Sequence, residues 1–184
     1  MTKFILVKHG HTDYESVQNR GFKGQGLDFA SLTEKKIKQV EDISYDERFI
    51  GSNKLISSPC TNAMQTAAII SEKHNLSINV ELDLHDFIPD LKFNYTDRKL
   101  YADNYQAARQ QMKDDKKYHN IQHESIYDIE IRTLNVLKQY LIYNKVIVVT
   151  HDPVMFSLTN RKYRPCDIAE LEYDEKQIEK MLIR

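Results

Sequence analysis

Two short segments of this sequence place a histidine directly after an apolar run. The first is Leu6-Val7-Lys8-His9-Gly10-His11-Thr12, and the second is Val148-Val149-Thr150-His151-Asp152. Imidazole titrates near neutral pH, so such a side chain can act as a nucleophile, a proton carrier or a metal ligand. A lone histidine after a strand is usually an ordinary loop residue, but two in equivalent positions indicate a shared chemical site.

The apolar runs before both histidines have the pattern of buried parallel strands. Phe4 to Val7 and Val146 to Val149 show no polar alternation, which is typical of strands covered on both faces. Leu55-Ile56 is a weaker third candidate. In an open α/β sheet, ligands bind beyond the carboxyl ends of the strands. We therefore expect His9 and His151 to meet at one crevice.

Helical patterns alternate with these runs. One begins around Ser31 to Glu34, which has the S-x-x-E spacing of a capping box, and runs to about Ile43. A second follows Pro59, and a third runs from about Ser125 to Tyr143. This alternation predicts a three-layer α/β/α fold with a mostly parallel central sheet.

The segment from about 89 to 123 fits this plan less well. Ala102 to Lys117 contains good helix formers but little apolar face, so it predicts a solvated helix in an insertion over one end of the sheet. Such an insertion is either a surface excursion or a lid over a substrate. No repeat or linker interrupts the rest of the sequence, so we expect one domain over residues 1–184.

Composition argues against several classes of function. The 26 basic and 27 acidic residues nearly balance, so no bulk field points to nucleic acid as a partner. The longest apolar runs are too short for a membrane span or a signal peptide, so we expect a cytoplasmic protein without membrane contact. Cys60 and Cys166 are isolated, which argues against a disulfide framework or a zinc knuckle.

The motifs of this chain resemble those of the histidine phosphatase superfamily, the phosphoglycerate mutase-like family. Residues 6–12 are similar to its L-V-R-H-G-E-T signature, and residues 57–67 to S-S-P-L-x-R-A-x-Q-T-A. Val148 to Asp152 is similar to V-V-S-H-G. Two further stretches agree in order, namely Lys23 to Gly26 with Ser31 to Glu34, and Glu124-Ser125 with Arg132. The resemblance covers nearly the whole chain and is weakest between 89 and 122.

The resemblance implies phosphoryl transfer without a metal or other cofactor. By position, His9 would attack phosphorus and carry the phosphoryl group as a phosphohistidine, which water then hydrolyses. A neutral imidazole suits this role because it is nucleophilic near pH 7. His151 would donate to the phosphoryl oxygens, and Gly10 would let the backbone approach the phosphate.

A carboxylic acid should protonate the leaving oxygen, and the sequence offers two candidates. The family places a glutamate after a strand as L-x-E, and the matching stretch here is Leu84-His85-Asp86. Asp86 is therefore the first choice for the general acid. Asp152 is the alternative, because another branch of the superfamily uses an H-D pair at its second histidine. A purely structural role of Asp86 in capping a loop also stays open.

Two departures from the family pattern affect the expected phosphate site. Lys8 and Asn62 stand where the family normally has arginines. Arginine forms a bidentate fork to phosphate, whereas lysine is a point charge and asparagine brings a neutral amide. Losing one preorganised donor typically costs about 10² to 10³ in rate, so two losses predict weak activity. Arg20 or Lys23, whose loop borders the phosphate pocket in the family, are candidates for compensation.

Three hypotheses follow for the function. The leading one is a phosphatase that hydrolyses a small phosphorylated substrate. The second is a degenerate member of the fold that binds a phosphorylated ligand or a protein partner. The third is a metallo-hydrolase built on the H-x-H-x-D string of His9, His11 and Asp13, which is disfavoured because such sites take further ligands from a larger barrel or sandwich. The sequence indicates neither the substrate nor the oligomeric state.

Overall fold

The computed structural model describes residues 1–113 and 122–183. Within these residues, a five-stranded sheet has the order β3-β2-β4-β1-β5. All neighbouring strands are parallel except β1 and β5, which pair antiparallel. The strands are β1 (Thr2–Lys8), β2 (Lys54–Ser57), β3 (Ile78–Val80), β4 (Lys145–Thr150) and β5 (Ile168–Tyr173). The predicted α/β class with a mostly parallel sheet is confirmed.

Helices cover both faces of this sheet. They are α1 (Tyr14–Asn19), α2 (Glu34–Ile43), α3 (Thr61–His74), α4 (Arg98–Lys113), α5 (Ile126–Gln139), α6 (Asp152–Thr159) and α7 (Glu175–Leu182). The helices predicted near Ser31 to Glu34, after Pro59 and from about Ser125 correspond to α2, α3 and α5. No helix in the described part of the chain is long and apolar enough to cross a membrane.

The predicted capping box at the start of α2 does not form. The N-cap is Thr33, which makes no side-chain capping bond. The Ser31 carbonyl instead accepts from the Asp13 amide, and the Thr33 amide donates to the His11 carbonyl, both at 2.8 Å. Pairing with the loop after β1 therefore holds this segment extended until the helix begins. A tertiary contact has displaced the local capping pattern.

The core lies on both sides of β1 because successive side chains of a strand point to opposite faces. Phe4 and Leu6 belong to the apolar cluster that α5, α6 and α7 cover. Ile5 and Val7 belong to the cluster on the opposite face, which α3 covers. All four side chains are fully buried. The unbroken apolar run of β1 is thus explained by burial on both faces.

The pairing of β1 with β4 sets the position of the two histidines. Lys8 lies opposite Thr150 in the parallel register, and the His9 amide donates to the Thr150 carbonyl at 3.0 Å. His9 and His151 therefore leave the sheet side by side at the carboxyl ends of adjacent strands. This is the edge at which α/β sheets generally bind ligands.

The helix of the insertion differs from its prediction. α4 begins at Arg98, four residues before the predicted start, and residues 114–117 of the predicted helix lie outside the described residues. Its apolar face is not weak, because Tyr101, Tyr105 and Ala108 pack against the cluster on the α5 side of the sheet. The prediction of a solvated helix is wrong because the tyrosine rings bury apolar surface that a count of aliphatic residues overlooks.

Candidate active site

His9 occupies a buried position with a defined tautomer. Its side chain follows β1 and the residue is 6% exposed. Nδ1 lies 2.7 Å from the Gly10 carbonyl oxygen, which can only accept, so Nδ1 carries the ring proton. Burial lowers the pKa of His9 to about 4, so the ring is neutral at pH 7. Nε2 therefore holds a lone pair, and it has no hydrogen-bond partner among the described residues.

Asn62 supports this histidine from behind. The residue is 2% exposed, and its Nδ2 donates to the Thr12 hydroxyl at 3.0 Å. That hydroxyl lies 3.3 Å from Nδ1 of His9. The amide of Asn62 is thus engaged in a network on the non-nucleophilic side of the ring. Asn62 therefore belongs to the hydrogen-bond network that holds His9.

The structure shows a packing role for Gly10. A Cβ at this position would lie 2.5 Å from a methyl group of Val40, on α2. The Gly10 amide donates to the Thr66 hydroxyl at 3.0 Å. The glycine therefore lets α2 and α3 pack tightly against the loop after β1.

His151 is the second buried ring of the site. The residue is 1% exposed, and its ring centroid lies 4.9 Å from that of His9. The Ser58 hydroxyl lies 2.7 Å from Nε2 and accepts from the Cys60 amide at 3.3 Å. We assign the proton of the neutral ring to Nδ1, because this nitrogen faces a carboxylate oxygen of Asp86 at 3.7 Å and the hydroxyl can donate to Nε2. Nδ1 is buried, and it has no hydrogen-bond partner within the part of the chain that the structure describes.

Burial also determines the charge state of His151. Removal from water lowers the pKa of the ring below its ordinary value, although the Asp86 carboxylate opposes this. Nδ1 of His151 lies 3.7 Å from Oδ2 of Asp86, which is too long for a hydrogen bond. The N–H of this ring therefore faces the same space as one carboxylate oxygen.

One carboxylate oxygen of Asp86 accepts two hydrogen bonds, and the other lies near the histidines. Oδ1 accepts from the Phe87 amide at 2.8 Å and from the Tyr101 hydroxyl at 2.7 Å. Oδ2 lies 3.9 Å from a guanidinium nitrogen of Arg98. Burial raises the pKa of Asp86, but His151, Arg98 and the Tyr101 hydroxyl together outweigh burial and hold the pKa below its ordinary value. The carboxyl group is therefore ionised in the free site.

Asp152 is engaged on both oxygens. Oδ1 accepts from the Tyr163 amide at 2.6 Å, and Oδ2 accepts from the Tyr105 hydroxyl at 2.9 Å. The Lys8 ammonium donates to the Tyr163 carbonyl at 2.8 Å, so both side chains converge on one loop residue. Burial lowers the pKa of Lys8, against the raising effect of Asp152 and Asp86. Asp86 thus offers an oxygen to the histidines, whereas Asp152 anchors the loop after α6.

Arg20 and Lys23 are not brought to the histidines. Both side chains are exposed, at the end of α1 and in the loop that follows. Within residues 1–113 and 122–183, no hydrogen bond or ion pair joins either side chain to the site. Arg98, in contrast, does reach the site, with a guanidinium nitrogen 3.9 Å from Oδ2 of Asp86.

Arg98 is the first residue of α4, and its guanidinium contacts two aromatic rings. Its central carbon lies 3.6 Å from the ring centroid of Tyr101 and 4.1 Å from that of Tyr14. The side chain keeps 31% of its surface exposed. The spacing of Arg98, Tyr101 and Tyr105 at i, i+3 and i+7 was the available signal, because such residues share one helix face.

The H-x-H-x-D string does not form a metal site. His11 is exposed while His9 is buried, and Asp13 caps α1 by accepting from the Ser16 amide at 3.1 Å. In the described ranges of the chain, no group of three or more His, Cys, Asp or Glu side chains is arranged to hold a metal ion. The residues present therefore do not fit the metallo-hydrolase hypothesis.

Comparison with known families agrees with this geometry. The model of the histidine phosphatase superfamily (branch 1) matches residues 4–178. This chain belongs to the histidine phosphatase superfamily. A comparison with curated proteins gives no significant match. Its assignment to the superfamily therefore comes from the family pattern over almost the whole chain.

Solved structures of superfamily members have the same fold. A mycobacterial glucosyl-3-phosphoglycerate phosphatase in complex with VO3 has a TM-score of 0.72 at 18% identity, covering 94% of this chain and 91% of that one. A histidine-to-alanine mutant of phosphoserine phosphatase from Entamoeba histolytica, in complex with phosphoserine, has a TM-score of 0.68 at 17% identity, covering 95% and 92%. At these identities the likeness establishes the shared fold.

Proposed function

We propose that this protein is a phosphatase that hydrolyses a small phosphomonoester through a phosphohistidine on His9, without a metal ion. The carrying observation is the state of His9, a neutral buried ring with its proton on Nδ1 and its Nε2 unpartnered in the described residues. Beside it lie an N–H of His151 and a carboxylate oxygen of Asp86. Nucleophile, hydrogen-bond donor and proton carrier are thus within one small volume.

In the first step, the lone pair of His9 Nε2 forms a bond to phosphorus. The bond from phosphorus to the leaving oxygen breaks, and its electron pair remains on that oxygen. The N–H of His151 donates to a phosphoryl oxygen, where charge accumulates. Asp86 delivers a proton to the leaving oxygen, so the alcohol leaves neutral.

In the second step, water attacks the phosphorus of phospho-His9. Asp86, now a carboxylate, accepts a proton from this water as the new phosphorus–oxygen bond forms. The phosphorus–nitrogen bond breaks, and its electron pair returns to the imidazole. The products are the alcohol and inorganic phosphate, and Asp86 releases the proton that it gained, so it is again a carboxylate in the free site.

In the free site Asp86 has no proton to donate to the leaving oxygen, because it is ionised, and both histidines are neutral. A phosphomonoester loses its second proton with a pKa of about 6, so its monoanion carries the proton that Asp86 relays. We expect kcat/KM to fall about tenfold per pH unit above about pH 6. Rates measured with an aryl phosphate from pH 5 to 8 test this.

The superfamily assignment supports the proposal, and so do the printed names of the structural neighbours. The mycobacterial and Entamoeba proteins are named as phosphatases of glucosyl-3-phosphoglycerate and of phosphoserine, which are small phosphomonoesters. We extend only that class of substrate to this chain.

The deciding experiment compares wild-type protein with His9→Ala in hydrolysis of an aryl phosphate, with and without a chelator. The matched control is His11→Ala, which removes an exposed histidine two residues away. We expect hydrolysis to resist chelation, to survive in His11→Ala and to vanish in His9→Ala. An acid-labile phosphoryl group should appear on His9 after a rapid quench.

Other outcomes would assign the site differently. Loss of activity on chelation, together with loss in His11→Ala, would support the metallo-hydrolase hypothesis. Wild-type activity no greater than that of His9→Ala would leave the fold as a binder of phosphorylated ligands. In that case phosphate affinity, rather than turnover, becomes the property to measure.

A further inference from the structure

The sequence motifs imply positively charged phosphate-binding side chains at positions 8 and 62, but the structure engages both side chains elsewhere. The amide of Asn62 donates to the Thr12 hydroxyl, and the Lys8 ammonium donates to the Tyr163 carbonyl. Neither group is free to form a planar fork to a phosphoryl group. A phosphomonoester bound at His9 still brings close to two negative charges into a buried site. Such charge requires a cation with several donors.

Arg98 has the geometry for this role. Its guanidinium lies 3.9 Å from Oδ2 of Asp86, and that oxygen lies 3.7 Å from Nδ1 of His151. Oδ2 is the oxygen that faces the reacting centre. A guanidinium next to it is therefore adjacent to the place where the leaving oxygen and the phosphoryl oxygens would lie.

The contact with Asp86 does not engage all the N–H donors of the Arg98 guanidinium. At 3.9 Å it is an ion pair without hydrogen-bond length, and a guanidinium carries five N–H donors. About a third of the side-chain surface remains exposed. Donors of Arg98 are therefore accessible to a ligand that enters beside Asp86.

The orientation of the guanidinium is set before any ligand binds. Tyr14, at the start of α1, and Tyr101, on α4, both lie against the guanidinium, with ring centroids 4.1 Å and 3.6 Å from its central carbon. Stacking against aromatic faces restricts the plane of the guanidinium fork, so less rotational freedom is lost on binding. Preorganised charge of this kind is what stabilises a phosphoryl transition state.

We propose that Arg98 is a phosphate-binding catalytic residue, so that helix α4 of the insertion supplies the guanidinium that the pocket lacks at positions 8 and 62. The catalytic part of this inference rests on the function proposed above, whereas the phosphate-binding part does not. It also makes α4 a working component of the site rather than a surface excursion. Docking of α4 becomes a requirement for phosphate binding.

The test measures the affinity for inorganic phosphate by isothermal titration calorimetry, and kcat/KM for an aryl phosphate. The variants are Arg98→Gln, which removes the charge, and Arg98→Lys, which keeps it without the fork. The matched control is Lys99→Gln, the same charge change at the exposed next residue of α4. Thermal melting of each variant checks that it folds.

We expect Arg98→Gln to weaken phosphate binding by at least tenfold and to lower kcat/KM by about 10² to 10³. Arg98→Lys should fall between Arg98→Gln and wild type, because a point charge replaces a bidentate donor. Lys99→Gln should match wild type in both measurements. Equal losses in Lys99→Gln would show a general effect of net charge and overturn the proposal.

The remaining outcomes separate this inference from the proposed function. Unchanged phosphate affinity in Arg98→Gln overturns the inference, whatever happens to hydrolysis. If Arg98→Gln changes only the pH dependence of kcat/KM and leaves its maximal value unchanged, the inference is also overturned. Arg98 would then act only on the protonation of Asp86. Weaker phosphate binding in Arg98→Gln, in a wild type without His9-dependent hydrolysis, supports the inference while the proposed function fails. A wild type that binds no phosphate overturns both.

Discussion

The candidate site has two halves that are built in different ways. His9 and His151 follow the adjacent parallel strands β1 and β4, and the His9 amide pairs with the Thr150 carbonyl. Arg98 and Tyr101 reach the site from α4, through long side chains and ring contacts. The sheet therefore positions the nucleophile, whereas the charge around it depends on the docking of one helix. Chemistry and charge complementarity can change independently in such a design.

The halves also differ in charge. The two histidine rings that follow the sheet strands are neutral, because burial lowers the pKa of both. Helix α4 instead brings the guanidinium of Arg98 close to the ionised carboxylate of Asp86. Variants of the buried histidines should therefore affect catalysis and the stability of the fold together. Variants in α4 should mainly affect the affinity for a negatively charged ligand and the transfer of protons.

Replacement of His151 should give the largest effect within the sheet half. We expect His151→Ala to lower kcat for an aryl phosphate by about 10² to 10³, because a preorganised donor to the phosphoryl group is lost. Ser58→Ala should cost about tenfold, because the ring remains and loses only the bond that selects its tautomer. Single-turnover phosphorylation of His9 measures both. Equal losses in the two variants would mean that Ser58 itself contacts the substrate.

The buried histidines should make stability depend on pH. The folded pKa of His9 is about 4 against a reference value of 6.5, so the unfolded chain binds more protons between these values. Stability from this residue is present above about pH 6.5 and is lost as pH falls toward 4. We expect the free energy of unfolding to decrease by about 2 kcal/mol from His9 alone between pH 7 and 5.

Urea unfolding of wild type and His9→Ala at the two pH values measures this term. The decrease between pH 7 and 5 should be smaller in His9→Ala, whatever its absolute stability. Arg98→Gln serves as the comparison from the insertion half and should retain the wild-type decrease. An unaltered pH dependence in His9→Ala would mean that the ring is not held neutral by burial.

Gly10→Ala separates packing from phosphate binding in the sheet half. The added methyl group would lie 2.5 Å from Val40, so we expect a loss of about 1 to 3 kcal/mol in the free energy of unfolding. Val40→Ala in the same chain should recover part of this loss because it makes room. Urea denaturation measures both. Weaker phosphate binding at unchanged stability would instead favour the role that the sequence predicted.

A pair of tyrosine variants in α4 gives the smallest expected effect. It distinguishes the hydrogen bond to Asp86 from the hydrogen bond to Asp152. Tyr101→Phe removes a hydrogen bond to Asp86, so the pKa of Asp86 should rise by about one unit. Tyr105→Phe is matched in chemistry but removes a bond to Asp152, so Asp86 should keep its pKa. Carboxyl NMR titration distinguishes them. A rise in both variants would point to a movement of α4 as a whole.

Two strands were not predicted from the sequence, and only one of them, β5, was within its reach. β5 alternates apolar and polar side chains, with Leu171 and Tyr173 facing the core while Glu170 and Glu172 pair with Lys3. This period of two is the normal signal of a half-covered edge strand. β3 has only three residues and is only partly buried, so it carries too little pattern to predict.

The sequence by itself determined the central strands, the histidines at their ends and the superfamily, because these depend on local patterns and on motifs in a fixed order. It also indicated Asp86 and Asn62 as residues of the site, while their chemical roles stay predictions. Only the tertiary structure decided what each side chain contacts. Asn62 turns to the scaffold of His9, and Arg98 enters from a helix nearly ninety positions along the chain. Contacts of this kind depend on how separate elements pack, and no local pattern encodes them.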